Sequence, residues 1–135
     1  KVWNVYKNHQ DKRMVELFAG GLGVSFSINP KRVLANDINK SLINFYTHLQ
    51  IDPQVELEAE NTSDSYYEVR KKFNSLVESN LYNKEMADCF YYLNRCGYNG
   101  LYRVNKKGLF NVPYGNYKYS NFKKDLEEYH NTIKE

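Results

Sequence analysis

Met14-Val15-Glu16-Leu17-Phe18-Ala19, then Gly20-Gly21-Leu22-Gly23, then Val24 to Ile28 is the stretch that decides the fold. A short apolar run ends in a glycine cluster and a new apolar stretch begins at once, which reads as strand, glycine turn and helix. Pro30 closes that helix, and Arg32-Val33-Leu34-Ala35-Asn36-Asp37 reads as a second buried strand ending on an acid. Beyond it, Ile38, Leu42, Phe45, Tyr46 and Leu49 fall at helical spacing until Pro53 stops the run. Strand, helix, strand, helix in such quick succession implies parallel strands joined by right-handed crossovers, and hence an α/β sheet.

The chain then changes character. Ser65 and Glu68 form a candidate capping box, with Tyr66, Val69, Phe73, Leu76 and Val77 on one face of a helix ending near Asn80. A further helix is expected from about Lys84 to Arg95, with Met86, Phe90 and Leu93 inward. Residues 102–105 and 109–113 read as two short strands around Lys106-Lys107-Gly108, where the glycine takes the positive φ of a tight turn. No internal repeat, low-complexity tract or flexible linker interrupts the 135 residues.

The net charge of +3 is a cancellation. Residues 1–51 carry +4, 52–94 carry −5, 95–124 carry +7 with no acid, and 125–135 carry −3. In the basic segment Arg95, Arg103, Lys106, Lys107, Lys118, Lys123 and Lys124 alternate with Tyr98, Tyr102, Phe110, Tyr114, Tyr117, Tyr119 and Phe122. Unopposed cations among aromatics suit a polyanion whose phosphates pair with them and whose bases stack, although a solvated surface loop has the same composition. Tyrosine supplies 13 residues, 11 of them at or after Tyr66. An apolar content of 41% with seven Gly and three Pro argues against disorder, collagen repeats and coiled coil. No apolar run is long enough to span a bilayer, and Lys1 to Gln10 lacks the apolar core of a signal peptide, so a cytoplasmic protein without membrane association is expected. Cys89 and Cys96 have no partners at zinc-ligand spacing and read as plain thiols in a reducing compartment.

A glycine turn between strand and helix lets a ligand approach the backbone closely and exposes unpaired N–H groups. Asp37, at the end of the next strand, suits the vicinal hydroxyls of a ribose, and equally a cap on the helix that follows. Glu16 either orients such a cofactor or faces solvent.

Four segments occur in order: Glu16-Leu17-Phe18-Ala19-Gly20-Gly21; Ala35-Asn36-Asp37-Ile38-Asn39; Leu93-Asn94-Arg95-Cys96-Gly97-Tyr98-Asn99-Gly100-Leu101-Tyr102-Arg103-Val104-Asn105; and Phe110-Asn111-Val112-Pro113-Tyr114-Gly115-Asn116-Tyr117-Lys118. Together they resemble the Dam-like, D12-class DNA adenine-N6 methyltransferases of bacteria and phages. The resemblance implies part of a Rossmann-like S-adenosylmethionine-dependent methyltransferase fold over residues 1–53. It implies an inserted helical target-recognition subdomain over 54–135, with a β-hairpin at about 102–113. S-adenosylmethionine would lie over the glycine loop, with Glu16, Phe18, Gly20, Gly21, Asp37 and Ile38 around it and Asp37 on its ribose. Double-stranded DNA is the implied substrate, usually read at GATC, with the target adenine flipped out of the duplex.

Carried over residue by residue, Tyr98 resembles the side chain that wedges into the base stack, and Asn99 a DNA-backbone contact. Leu101 and Pro113 resemble apolar contacts to a thymine methyl, and Arg103 the reader of a guanine, whose O6 and N7 match its fork. Asn105, Lys106, Lys107, Tyr117 and Lys118 complete the DNA-facing set, the lysines as phosphate contacts. Core packing is the alternative for Tyr98, and a solvated turn for Lys106 and Lys107. A cognate restriction endonuclease is a partner the resemblance allows.

Where many relatives have Gly-x-Gly-Ser, this chain has Gly-Gly-Leu-Gly, so the second family glycine falls on Leu22. The family's Lys-Trp-x-Gly-Gly-Lys segment and its Asp-Pro-Pro-Tyr catalytic motif do not occur in the 135 residues. Asn111-Val112-Pro113-Tyr114 imitates the second, but Val112 stands where its first proline is needed. No catalytic residue and no metal ligand is therefore assigned, and the chain reads as a fragment of an enzyme about twice as long. The rival readings are a non-catalytic DNA-binding module derived from such an enzyme and, more remotely, an RNA methyltransferase.

Overall fold

The computed structural model of the chain describes residues 2–119 and 126–133. Phe122, Lys123 and Lys124 of the basic segment lie outside the described residues. The elements are α1 (Val2–Tyr6), β1 (Met14–Glu16), α2 (Gly23–Ile28), β2 (Val33–Ala35), α3 (Lys40–Ile51), α4 (Ser63–Glu78), α5 (Lys84–Cys96) and α6 (Glu127–Ile133), with a 3-10 turn over Tyr98–Gly100. As expected, β1 and β2 pair in parallel, with Met14 opposite Val33 and Glu16 opposite Ala35. Neither strand is buried as the apolar runs suggested. Val15 and Leu34, opposed in the register, are each 51% exposed, because among the described residues only one face of this two-stranded sheet is covered.

Helix starts are set by side chains that satisfy otherwise unpaired N–H groups. Asn39 caps α3 by accepting from the Ser41 and Leu42 N–H groups, so the cap is not Asp37. Ile38 consequently stands outside the helix and is 98% exposed. Thr62, not Ser65, caps α4, and the Ser65 hydroxyl instead accepts the Glu60 N–H at 3.0 Å. Asn83 caps α5. Helices α1 and α6 were not legible as periodic apolar segments.

Two cores result. The larger joins Tyr66, Val69 and Phe73 of α4 to Met86, Cys89, Tyr92, Leu93 and Cys96 of α5, and to Phe110 and Val112. The smaller joins Ala19 and Leu22 of the glycine loop to Leu49, Leu126 and Ile133. Residues 126–133 thus return to pack on the lobe that holds the parallel strands. Phe45 of α3 ties the two cores together, stacking on Tyr91 and Phe90 of α5 with ring centroids 5.8 Å away in each case. Both cysteines are buried and form no disulfide, and desolvation pushes the Cys89 thiol up to about 12, which keeps it protonated. Among the described residues no helix is long and apolar enough to cross a membrane.

The expected hairpin is reduced. Residues 102–113 make a tight turn, but pairing amounts to the isolated bridge Val104–Phe110, and Tyr114 bridges back to Gly97. Side chains of α4 also bond the backbone here, Asn74 at Phe110 and Tyr66 and Arg70 at Val112. Gly108 does take the positive φ foreseen for it, +78°.

Candidate functional site

The glycine loop leaves β1 and is held open by polar contacts. Leu22 adopts φ +53°, a left-handed conformation that costs an L-residue about 1–2 kcal/mol. Its side chain is 2% exposed in the smaller core, and that burial offsets the cost. A Cβ on Gly20, Gly21 or Gly23 would meet nothing within 4 Å, so the loop presents bare backbone to the space above it.

Asp37 closes the loop from the end of β2. Its Oδ2 accepts the Gly20 N–H at 3.0 Å and its Oδ1 the Asn39 N–H at 2.9 Å. The Asn39 bond, then the Gly20 bond, lower its pKa from the ordinary carboxylate value, so the group is ionised at neutral pH. Each oxygen keeps acceptor capacity for a further hydroxyl. Tyr46, which the sequence marked only as part of a helical face, donates to the Gly20 carbonyl at 2.6 Å. Desolvation, with smaller contributions from Glu16 and Asp37, pushes its pKa up to about 12 and keeps it a donor. Glu16 turns inward, accepting from the backbone N–H and the hydroxyl of Ser25, and so anchors α2 to β1. Phe18 and Ile38, 88% and 98% exposed, flank the loop. A cavity of about 560 Å³ beside β1 is lined in part by Tyr6, Met14, Glu16, Phe18 and Val24; Gly20 and Asp37 are not among its walls.

The basic segment forms a second surface. Tyr98, 51% exposed, heads the turn, and its N–H donates to the Pro113 carbonyl at 3.0 Å. Core packing of the Tyr98 ring is therefore not what the fold requires. Asn99 takes φ +53° and its N–H donates to the Tyr117 hydroxyl at 2.7 Å. Tyr117 is in turn fixed by Asn61, whose side-chain amide donates to the Tyr117 carbonyl at 2.9 Å. Leu101, Arg103, Asn105, Lys106, Lys107, Pro113 and Lys118 are all exposed. Asn105 shapes the turn, its Oδ1 accepting from Lys107 N–H and Leu109 N–H. Lys118 lies over the Tyr119 ring at 5.8 Å. Among the described residues none of Arg103, Lys106, Lys107 and Lys118 is ion-paired with a carboxylate.

The aromatic interleaving divides in two. Phe110 is buried and packs edge-on against Phe73 at 5.9 Å, while the Tyr102 ring packs on Phe90 and Phe110, each at 5.8 Å. Tyr114 is held to Asn61 through its hydroxyl. Tyr98, Tyr117 and Tyr119 are exposed, and Tyr102 is exposed too although its ring packs on the two phenylalanines. Alternation of aromatic and basic residues alone cannot separate these groups, since both kinds of tyrosine look alike in sequence. Among the described residues no cluster of His, Cys, Asp or Glu is arranged to hold a metal.

Two parallel strands with a glycine loop and an acid at their carboxyl ends are compatible with part of an α/β fold. Sequence comparison narrows this. The model of the D12 class N6 adenine-specific DNA methyltransferases matches residues 4–135. The chain belongs to that family. It is 42% identical to the retron Ec67 DNA adenine methylase of Escherichia coli, over 78% of this chain and 39% of the relative. It is 41% identical to a DNA adenine methylase of Vibrio cholerae, over 79% of this chain and 40% of the relative. With a DNA N-6-adenine-methyltransferase of Escherichia phage P1 it shares 39% identity over 81% of this chain and 15% of the relative. The chain therefore spans about two fifths of the length of the first two of these relatives.

Proposed function

We propose that this chain is the cofactor-binding and DNA-reading part of a DNA adenine-N6 methyltransferase that uses S-adenosylmethionine. Residues 1–53 serve as the cofactor lobe and 54–135 as the target-recognition part, with 126–133 seated back on the lobe. What carries the reading is the pairing of two exposed sites on one chain, a bare glycine loop closed by ionised Asp37 and an acid-free basic turn. The loop fits the cofactor: no side chain obstructs Gly20 or Gly21, and Asp37 retains acceptor capacity for ribose hydroxyls. S-adenosylmethionine, when bound, supplies an electrophilic methyl group.

Asp37 binds and orients the ribose, Phe18 and Ile38 cover apolar parts of the cofactor, and Tyr46 and Glu16 keep the loop in shape. On the other surface Tyr98 wedges into the base stack as the adenine leaves it, which offsets part of the unstacking cost. Arg103 reads a guanine, Leu101 and Pro113 touch a thymine methyl, and Asn99, Lys106, Lys107 and Lys118 hold phosphates. GATC is the site proposed. The acceptor groups that polarise the adenine amino nitrogen belong to an Asp-Pro-Pro-Tyr motif elsewhere in the full-length protein.

The test is methyl transfer by the full-length protein, from labelled S-adenosylmethionine, to duplexes with and without GATC. N6-methyladenine confined to the GATC duplex is expected. Label in neither duplex, or in structured RNA only, refutes the assignment. Arg103→Ala should lower discrimination at one guanine by about 10- to 100-fold; equal loss on all duplexes makes Arg103 a phosphate contact.

A further inference from the structure

We propose that Asn111 is a positioning residue that holds Arg103 in its reading pose, and that a polar ladder on α4 fixes Asn111 in turn. The proposal rests on Arg103 being the guanine reader. Arg103 Nε donates to Asn111 Oδ1 at 2.8 Å, and Arg103 Nη2 donates to the Asn111 carbonyl at 3.1 Å. The Asn111 N–H closes the set by donating to the Arg103 carbonyl at 3.1 Å. A guanidinium has two useful edges. Asn111 occupies the one shared by Nε and Nη2, which leaves the end-on edge of Nη1 and Nη2 as a parallel pair of donors, the fork that matches guanine O6 and N7. An exposed arginine samples many rotamers, and these bonds remove that freedom before DNA arrives.

Asn111 can serve only if its own backbone is fixed. Its neighbours Phe110 and Val112 are buried, and alternation along an extended segment turns Asn111 the other way. The flanking backbone is bonded to three residues of α4. Asn74 accepts the Phe110 N–H at 2.8 Å and donates to the Phe110 carbonyl at 3.0 Å. Tyr66 and Arg70 donate to the Val112 carbonyl at 3.0 and 3.1 Å. Tyr66, Arg70 and Asn74 stand four residues apart and share one helical face. Their side chains replace a partner strand, so the position of Arg103 follows from α4.

The experiment measures, for the full-length protein at one salt concentration, the ratio of affinities for a GATC duplex and the same duplex with its guanine replaced. Asn111→Ala should lower the ratio about three- to ten-fold, a partial loss because the carbonyl contact survives. Melting temperature and salt slope should stay unchanged. Asn111→Asp keeps the acceptor and should recover most of the ratio, and Asn111→Ala should add nothing in an Arg103→Ala background. If Asn111→Ala does not fold, Asn111→Leu keeps the bulk, removes the acceptor and is expected to give the same loss. A ratio unchanged by Asn111→Ala while Arg103→Ala relaxes it overturns the positioning role alone. Equal weakening on every duplex with a shallower salt slope makes Asn111 a phosphate contact and also overturns it. A ratio indifferent to Arg103→Ala refutes the guanine-reading role instead. The Arg103 Nε–H resonance should lose protection from solvent exchange in Asn111→Ala without DNA present; protection retained there refutes the hydrogen-bond basis directly.

Discussion

Gly97→Ala is expected to destabilise the larger core, where the end of α5 meets Tyr66 and Val112. Gly97 has φ −79° and ψ 156°, a backbone that any residue adopts, so the demand there is for space. A Cβ would lie 2.5 Å from the Leu93 carbonyl oxygen, 2.8 Å from the Tyr66 hydroxyl and 3.5 Å from Val112 Cγ1. The Val112 contact is ordinary, but neither of the first two atoms can yield cheaply. Leu93 O is helical backbone that accepts the Gly97 N–H at 2.9 Å, and Tyr66 is wholly buried and bonded to the Val112 carbonyl. Relief requires the end of α5 to move or Tyr66 to swing away from Val112. Overpacking a tight core costs about 1–3 kcal/mol, and breaking a buried hydrogen bond costs about 1–3 kcal/mol more. Arg70 continues to donate to Val112, which keeps the second contribution low, so about 2–4 kcal/mol is expected in total. Urea unfolding followed by far-ultraviolet circular dichroism should show the midpoint falling by about 1–2 M for an ordinary denaturant slope. A loss below about 0.5 kcal/mol, the range of an indifferent surface change, would refute the close-approach argument.

Gly21→Ala is the counterpart: its Cβ meets no atom within 4 Å, so stability should change by less than about 0.5 kcal/mol while cofactor affinity collapses. Normal affinity by calorimetry would remove Gly21 from the cofactor site. Asp37 has its pKa lowered in the folded protein, so its contribution is present above the unfolded value near about 4 and fades as pH falls through the folded value. Asp37→Asn should therefore flatten the acid limb of the stability profile and weaken cofactor binding at pH 7; an acid limb identical to wild type would show that the loop contacts do not stabilise the fold. Lys118→Ala should weaken all duplexes alike and reduce the salt slope by about 0.9, and an unchanged slope takes Lys118 out of the interface.

The parallel strand pair and its glycine loop were legible because their signals are local. A short apolar run ending in glycines has few other readings, and Asp37 follows it at the right place. The family resemblance rested likewise on contiguous motifs, which sequence preserves. Helix ends were less legible: Thr62 lies three residues before Ser65 and Asn39 two after Asp37, and all four residue types cap helices, so only the backbone path distinguishes the cap from its neighbour. Ile38 fitted an apolar period yet stands almost wholly exposed, since the period extended past the point where the helix begins.

By itself the sequence determined the α/β lobe, the acid-free basic segment and the family, all carried by composition and adjacency. Tertiary structure alone decided which tyrosines are core and which are surface, and it turned Glu16 inward to Ser25 and Tyr46 onto the Gly20 carbonyl. It also set Tyr66, Arg70 and Asn74 against a backbone 36 to 46 residues away in the chain, with Asn111 between their targets holding Arg103. The physical reason is common to these cases. Each depends on a side chain meeting groups that are not its chain neighbours, 8 to 46 residues away for the bonds named, and only the folded chain determines which of them comes within about 3 Å.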